Sequence, residues 1–299
     1  MAQLGDASRA ARRAATLALA ACLLTSCAGS EPREAEPRSR ASEATPSTPA
    51  SPTPTTDKAS TLADRLEGAA ATIRDREATR ADVRRAAEFH QLAVRALVTA
   101  RTAFVRRVVA RLDPSTARDV RSDLRAGSLL YSMTEPQPRL PRWRIVAPPP
   151  PSELRGYYRQ AQRRTGVPWN YLAAIHLVET RMGRIRGTST AGAQGPMQFL
   201  PSTWKIYGAG GDINDPQDAI LAAARLLRSN GAPGDMAEAL WHYNPSDNYV
   251  GAVSAYARTM QRSEITYRGY WHWRVLYRHV RATYVLPVGY PVKRPIAVE

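Results

Sequence analysis

Of the 26 acidic residues in this 299-residue chain, one stands where a carboxylate is costly. Glu179 follows residues 171–178, YLAAIHLV, a stretch apolar around almost the whole helical circumference except at His176, which marks a helix buried on most sides. By the i, i+3, i+4, i+7 rule Glu179 shares a stripe with Leu172, Ile175 and His176, and it lies near the negative end of the helix dipole. Desolvation and the dipole both disfavour the ionised form. The placement therefore predicts a carboxyl that keeps a proton near neutral pH, as a general acid must. Taken alone, a glutamate at a helix end reads more simply as a side chain turned out to solvent. A cationic His176 beside it would lower its pKa, so a neutral ring or one engaged in another hydrogen bond is expected. Among the nearby aspartates, Asp215 and Asp218 read as helix-cap residues, whereas Asp212 has no such role.

Two further segments carry polar residues at close spacing: residues 192–204, GAQGPMQFLPSTW, and residues 241–250, WHYNPSDNYV. Individually their members have plain readings. Gln198 would cap a turn, Tyr243 would be core, and Asn244 would end a helix before Pro245. Other chemistries fail on spacing. The run Gly187-Thr-Ser189-Thr-Ala-Gly192 misses the nucleophile-elbow pattern by one residue, and Gly208 to Gly211 lacks the Lys-Ser/Thr of a phosphate loop. The five histidines form no His/Cys cluster at ligand spacing, so neither a metal nor a cofactor is expected.

In this order the three motifs resemble the lysozyme-like (SLT) domain of lytic transglycosylases. The GPMQFLPSTW form is most similar to the membrane-bound lytic murein transglycosylase B type and its actinobacterial relatives. The likeness spans roughly residues 152–262. It implies a mainly α, lysozyme-like domain that cleaves the MurNAc-GlcNAc β-1,4 bond of peptidoglycan and leaves 1,6-anhydro-MurNAc ends. It also implies Glu179 as acid and then base, with Thr180, Met197, Gln198, Tyr243 and Asn244 contacting substrate. Thr180 stands where the family commonly has Ser, and His242 where Ala is frequent. In the family mechanism one carboxylate suffices, because the substrate's 2-acetamido group and C6 hydroxyl do the work of a nucleophile. A lysozyme-type hydrolase using Asp212 is the alternative enzyme, and a non-catalytic glycan-binding lipoprotein the alternative of another class.

These side chains need a scaffold and a compartment. Arg9, Arg12 and Arg13 precede an apolar run from Ala14 to Leu24, the layout of a secretory signal and too short to span a membrane. The run ends in Leu24-Thr25-Ser26-Cys27, which resembles the lipobox of bacterial lipoproteins and implies lipidation of Cys27, with the protein on the outer face of the cytoplasmic membrane, facing the cell wall. Cys22 lies in the segment expected to be removed, so packing rather than a disulfide must hold the mature chain. The excess of 42 Lys and Arg over 26 Asp and Glu, net +16, normally suggests nucleic acid. An exported chain instead meets anionic lipid, wall polymers and peptide carboxylates, so peptidoglycan strands and the membrane are the expected partners, not nucleic acid.

The expected layout is a lipoprotein signal at 1–26, a Pro/Ser/Thr-rich disordered tether at 27–60, a helical accessory region at 61–134, a Pro-rich linker at 135–151, and the catalytic domain at 152–299. One or two long helices are expected over residues 62–112, and a further one after Asp113-Pro114. Ser152 and Gly166 are expected to cap and stop a helix, Pro168 to open the Glu179 helix in its first turn, and Asp215, Asp235 and Asp247 to cap three more. Alternation at Trp271, Trp273, Val275 and Tyr277, with a β-prone run from Tyr284 to Val288, predicts a short C-terminal hairpin.

Overall fold

A computed structural model describes residues 59–298. The expected signal, Cys27 and the tether as far as residue 58 lie outside the described residues; Ala59 and Ser60, expected as tether, already belong to the first helix. The described chain is mainly α, with eleven helices and five short strands.

Residues 62–112 fold as three helices rather than one or two: α1 (Ala59–Arg74), α2 (Arg80–Thr99) and α3 (Thr102–Val109). No proline marks the breaks. The first turn is made by side chains, Asp75 accepting from the Glu77 N–H and Thr79 capping α2 by accepting from the Asp82 N–H. Next comes α4 (Pro114–Ser132), with proline at its first position as expected. Buried Leu62, Leu66, Leu97, Val108 and Val120 form a local core among these four helices.

The following segment is not the unpaired extended chain expected of a proline-rich linker. Within it β1 (Arg144–Ile145) pairs antiparallel with β2 (Ile185–Arg186), and the Gln137 N–H bonds the Arg278 carbonyl at 3.0 Å. Proline forbids donation at its own position only, and residues between prolines remain free to pair.

Helix α5 (Pro151–Thr165) is capped by Pro150, with Ser152 inside its first turn instead of at the cap, and it stops at Gly166 with φ 79°. Pro168 is itself the cap residue of α6 (Trp169–Thr180), the helix that carries Glu179. Leu172, Ile175 and Leu177 are fully buried, and truncating any one to alanine would cost about 2–5 kcal/mol. Around α6 pack α8 (Pro216–Ser229) and α10 (Asp247–Arg262); α7 (Pro201–Tyr207), α9 (Met236–Tyr243) and α11 (Thr266–His272) complete the helical set. Asp215 and Asp235 cap α8 and α9 as expected, each accepting from two backbone N–H groups. The cap of α10 is Ser246, accepting from the Tyr249 N–H, one residue before the expected Asp247.

The C-terminal hairpin is present as β3 (Val275–Arg278) and β4 (Thr283–Leu286), extended by β5 (Ile296–Ala297). Trp271 lies on α11, and Trp273 follows that helix, so neither belongs to the strand. Ile73 of α1, Ala87 of α2 and Ala126 of α4 are buried in the same central core as α6, and α4 packs along α10. Among the described residues no helix is long and apolar enough to cross a membrane.

Candidate active site

A cleft of about 420 Å³ opens over the C-terminal end of α6, with Glu179 in its lining. Glu179 is half-buried where it lines this cleft. Burial pushes its pKa up to about 7, while a hydrogen bond donated by the Tyr249 hydroxyl at 2.6 Å pulls the other way. At neutral pH Glu179 is thus poised near half-protonation, which suits a group that must first give and then take a proton.

His176 does not oppose this. Its ring is fully buried, its Nδ1 lies 2.7 Å from the Tyr158 hydroxyl, and burial lowers its pKa to about 3. The ring is neutral, and the Tyr158 hydroxyl, its own pKa raised by burial, is the natural donor to Nδ1.

The segment 192–204 folds back as a tight loop beneath the cleft. Gln194 and Phe199 exchange backbone hydrogen bonds at 2.8 and 2.9 Å. Gly195 is required there, because a Cβ would stand 1.9 Å from the Ile213 carbonyl oxygen and its φ is +72°. Gln198 adopts φ +50°, a left-handed conformation uncommon for a residue with a side chain, and it donates to the Gly195 carbonyl through both its N–H and its Nε2. Its side chain lines the cleft, as does Asn244.

The remaining expected contact residues are elsewhere. Thr180 and Met197 have no exposed surface and Tyr243 only 4 %, and none of the three is in the cleft lining. They form the support under the floor. The Thr180 hydroxyl donates to the Pro196 carbonyl at 2.6 Å and accepts from the Gly183 N–H, and the Tyr243 hydroxyl donates to the Met197 carbonyl at 2.6 Å. These bonds lock the 192–204 loop to the end of α6 and to α9. Breaking one strands a buried partner, at about 1–3 kcal/mol. His242 is exposed and faces Glu238 at 3.1 Å.

Asp212 is also outside the cleft. It is exposed, and its carboxylate accepts from the Asn214 N–H at 2.8 Å in a local turn, the role its sequence context did not reveal. Among the described residues lining the cleft, Glu179 is the one carboxylate. No group of three or more His, Cys, Asp or Glu among the described residues could hold a metal ion.

Sequence reasoning missed Tyr249. It lies inside the 241–250 segment, and its ring stacks on that of Tyr243 at 6.3 Å with an interplanar angle of 5°. It lies in the first turn of α10, where the Ser246 hydroxyl accepts from its N–H. The cleft's upper walls were missed as well. Val94 and Arg95 of α2, Tyr131 of α4, Trp143, and Tyr277 and Arg278 of β3 line it. Arg95 and Arg278 lie 4.7 and 3.7 Å from the centre of the Tyr131 ring, and Trp143 packs edge-on against Tyr277. Gly187 makes room for this indole, since a Cβ there would come within 2.7 Å of it.

With this geometry in place, comparison with known proteins gives one match. The family described as Transglycosylase SLT domain matches residues 156–266, the span that supplies Glu179, Gln198, Asn244 and Tyr249. No curated protein and no solved structure matches the chain.

Proposed function

Residues 156–266 are a transglycosylase SLT domain, of a family of lytic transglycosylases that act on peptidoglycan, and on that premise we propose that Glu179 cleaves the MurNAc-GlcNAc β-1,4 bond to leave 1,6-anhydro-MurNAc ends. The observation that carries this reading is a single carboxylate in the cleft lining, with its pKa raised by burial to about 7. Its proton goes to the glycosidic oxygen as the C1–O bond breaks, and the 2-acetamido group of the substrate supports the positive anomeric carbon. Glu179, now ionised and held by the Tyr249 hydroxyl, then removes the C6 hydroxyl proton as that oxygen closes on C1. Atoms balance without water. Gln198 and Asn244 hold the sugar on the floor, while Thr180, Met197 and Tyr243 keep that floor in place.

Hydrolytic glycosidases usually pair the acid with a second carboxylate, near the bond or at water-bridging distance from it. Asp212 does not line the cleft, which disfavours the alternative built on it. The proposal includes a membrane-bound type B-like subtype, lipid attachment at Cys27, and action from the outer face of the cytoplasmic membrane on the wall. It also treats residues 61–134 as an accessory region to the 152–299 domain.

Digestion of purified sacculi in oxygen-18 water tests the chemistry. Muropeptides ending in anhydro-MurNAc, about 18 Da lighter than hydrated ends and free of label at C1, are expected. Labelled reducing ends as the main product would replace this reading with hydrolysis.

A further inference from the structure

Away from the cleft, α4 and α10 border a second recess of about 580 Å³. Arg118, Arg121 and Arg125 recur on one face of α4 at i, i+3 and i+7, covering about 10 Å along the helix at 1.5 Å per residue. Arg258 of α10 joins them in lining it. All four are exposed, and among the described residues none has a side-chain hydrogen bond or an ion pair. No carboxylate lines the recess. The contrast with the neighbouring arginines is direct: Arg74 and Arg262 both reach Asp119, at 2.7 and 2.9 Å. The one acid in the middle of α4's first half is therefore already committed, and the four guanidiniums are left to repel each other in one groove.

We propose that this groove binds an extended phosphate-bearing polymer. A groove lined by three arginines in a row and a fourth on the neighbouring helix suits a linear polyanion. Phosphate is favoured over carboxylate because its tetrahedral oxygens point out of one plane, toward guanidiniums presented by two helices, whereas the two oxygens of a carboxylate lie in a single plane. A membrane surface is the poorer partner. Interfacial binding needs exposed apolar side chains beside the cations, and none of the exposed large apolar residues, such as Ile206, Trp241 and Val292, lines this groove. The groove and the cleft share no lining residue, but α4 contributes to both, with Arg118 to Arg125 on one and Tyr131 on the other. At about 100° per residue, Arg118, Arg121 and Arg125 lie on the face of α4 opposite the one that carries Gly127, Leu130 and Tyr131 to the cleft, so the two openings are separate.

The experiment uses the full chain with Glu179→Gln, so that wall material stays intact, and titrates it with inorganic polyphosphate, polyglutamate and vesicles of anionic phospholipid. The groove variant R118Q/R121Q/R125Q/R258Q is compared with R142Q/R144Q/R281Q/R294Q, which removes four exposed arginines elsewhere and changes the net charge equally. Loss of polyphosphate affinity by about tenfold or more in the groove variant, against less than about twofold in the control, is the expected result, with polyglutamate binding several-fold more weakly than polyphosphate. Equal losses in both variants would reduce the effect to net charge and overturn the proposal. So would polyglutamate binding as tightly as polyphosphate, or a groove dependence seen on vesicles alone. In the Glu179 background the groove variant should cleave short phosphate-free glycan fragments at the wild-type rate, within about twofold; a deeper loss would place these arginines in the cleavage machinery instead. Should the fourfold variant fail to fold, R121Q/R258Q is expected to show about a threefold loss, and an unchanged affinity there would also overturn the assignment.

Discussion

The floor of the cleft comes from helix ends and loops within residues 156–266, whereas much of its rim comes from α2, α4 and β3, outside that span. The floor is held by short hydrogen bonds, Tyr249 to Glu179 at the cleft and, fully buried, Thr180 to the Pro196 carbonyl and Tyr243 to the Met197 carbonyl. The rim is built from longer side chains stacked on one another, as Arg95 and Arg278 are on Tyr131. In the proposed mechanism chemistry constrains the floor, because a proton moves at one atom. The rim has to offer only surface and charge, which many residue combinations supply. The two should therefore fail differently: floor substitutions should reduce turnover, and rim substitutions should weaken substrate binding.

Glu179→Gln carries the largest expected effect, about a thousandfold loss of turnover on sacculi, because an amide cannot deliver the proton. A variant keeping more than a few per cent of activity would remove Glu179 as the acid. The same substitution has a stability signature. The folded carboxyl holds its proton up to about pH 7 and the unfolded one loses it near 4.5, so the folded state binds more protons in between. Stability should then fall as pH rises through that window, and E179Q should melt at a higher temperature than the wild type at pH 8, with the difference closing by pH 4.

Tyr249→Phe comes next, with about a tenfold loss of kcat. The ring that stacks on Tyr243 is kept, but the bond favouring the ionised carboxylate is lost. The pKa of Glu179 should move above about 7, and the alkaline limb of the kcat/KM profile should shift upward with it. A loss of activity with an unshifted profile would show that Tyr249 acts on the substrate and not through Glu179.

At the rim, Tyr131→Ala should raise KM by about three- to tenfold while kcat stays within about twofold. A fall in kcat as large as that of Y249F would erase the distinction between the two regions. Asp212→Asn should have the smallest effect, under about twofold, since its carboxylate serves a local turn. A loss approaching that of E179Q would restore the two-carboxylate mechanism.

Legibility followed the same division. Helix α6 could be placed from its unbroken apolar run, and the caps at Asp215 and Asp235 from short polar residues before helical patterns, because these signals are local. The α10 cap was misplaced by one residue, since Ser246 and Asp247 are both good cap residues and only the backbone at Ser246 decides between them. Thr180 and Tyr243, expected at the substrate, are buried. A polar side chain in a site motif reads the same whether it faces the ligand or supports the residue that does. Tyr131 and Arg278 carried no signal at all, being 147 positions apart in sequence.

What the sequence by itself determined is the run of helices, the out-of-place carboxylate on α6 and the glycine-bearing segment that follows it. Each depends on interactions spanning a few residues or on a residue type that tolerates no substitute. Tertiary structure alone decided that Tyr249 bonds Glu179, that Asp212 stays out of the cleft, and that helices before the catalytic segment and a strand after it wall the cleft together. The physical reason is that burial, which raises the Glu179 pKa, depends on surrounding atoms contributed by elements far apart in the chain.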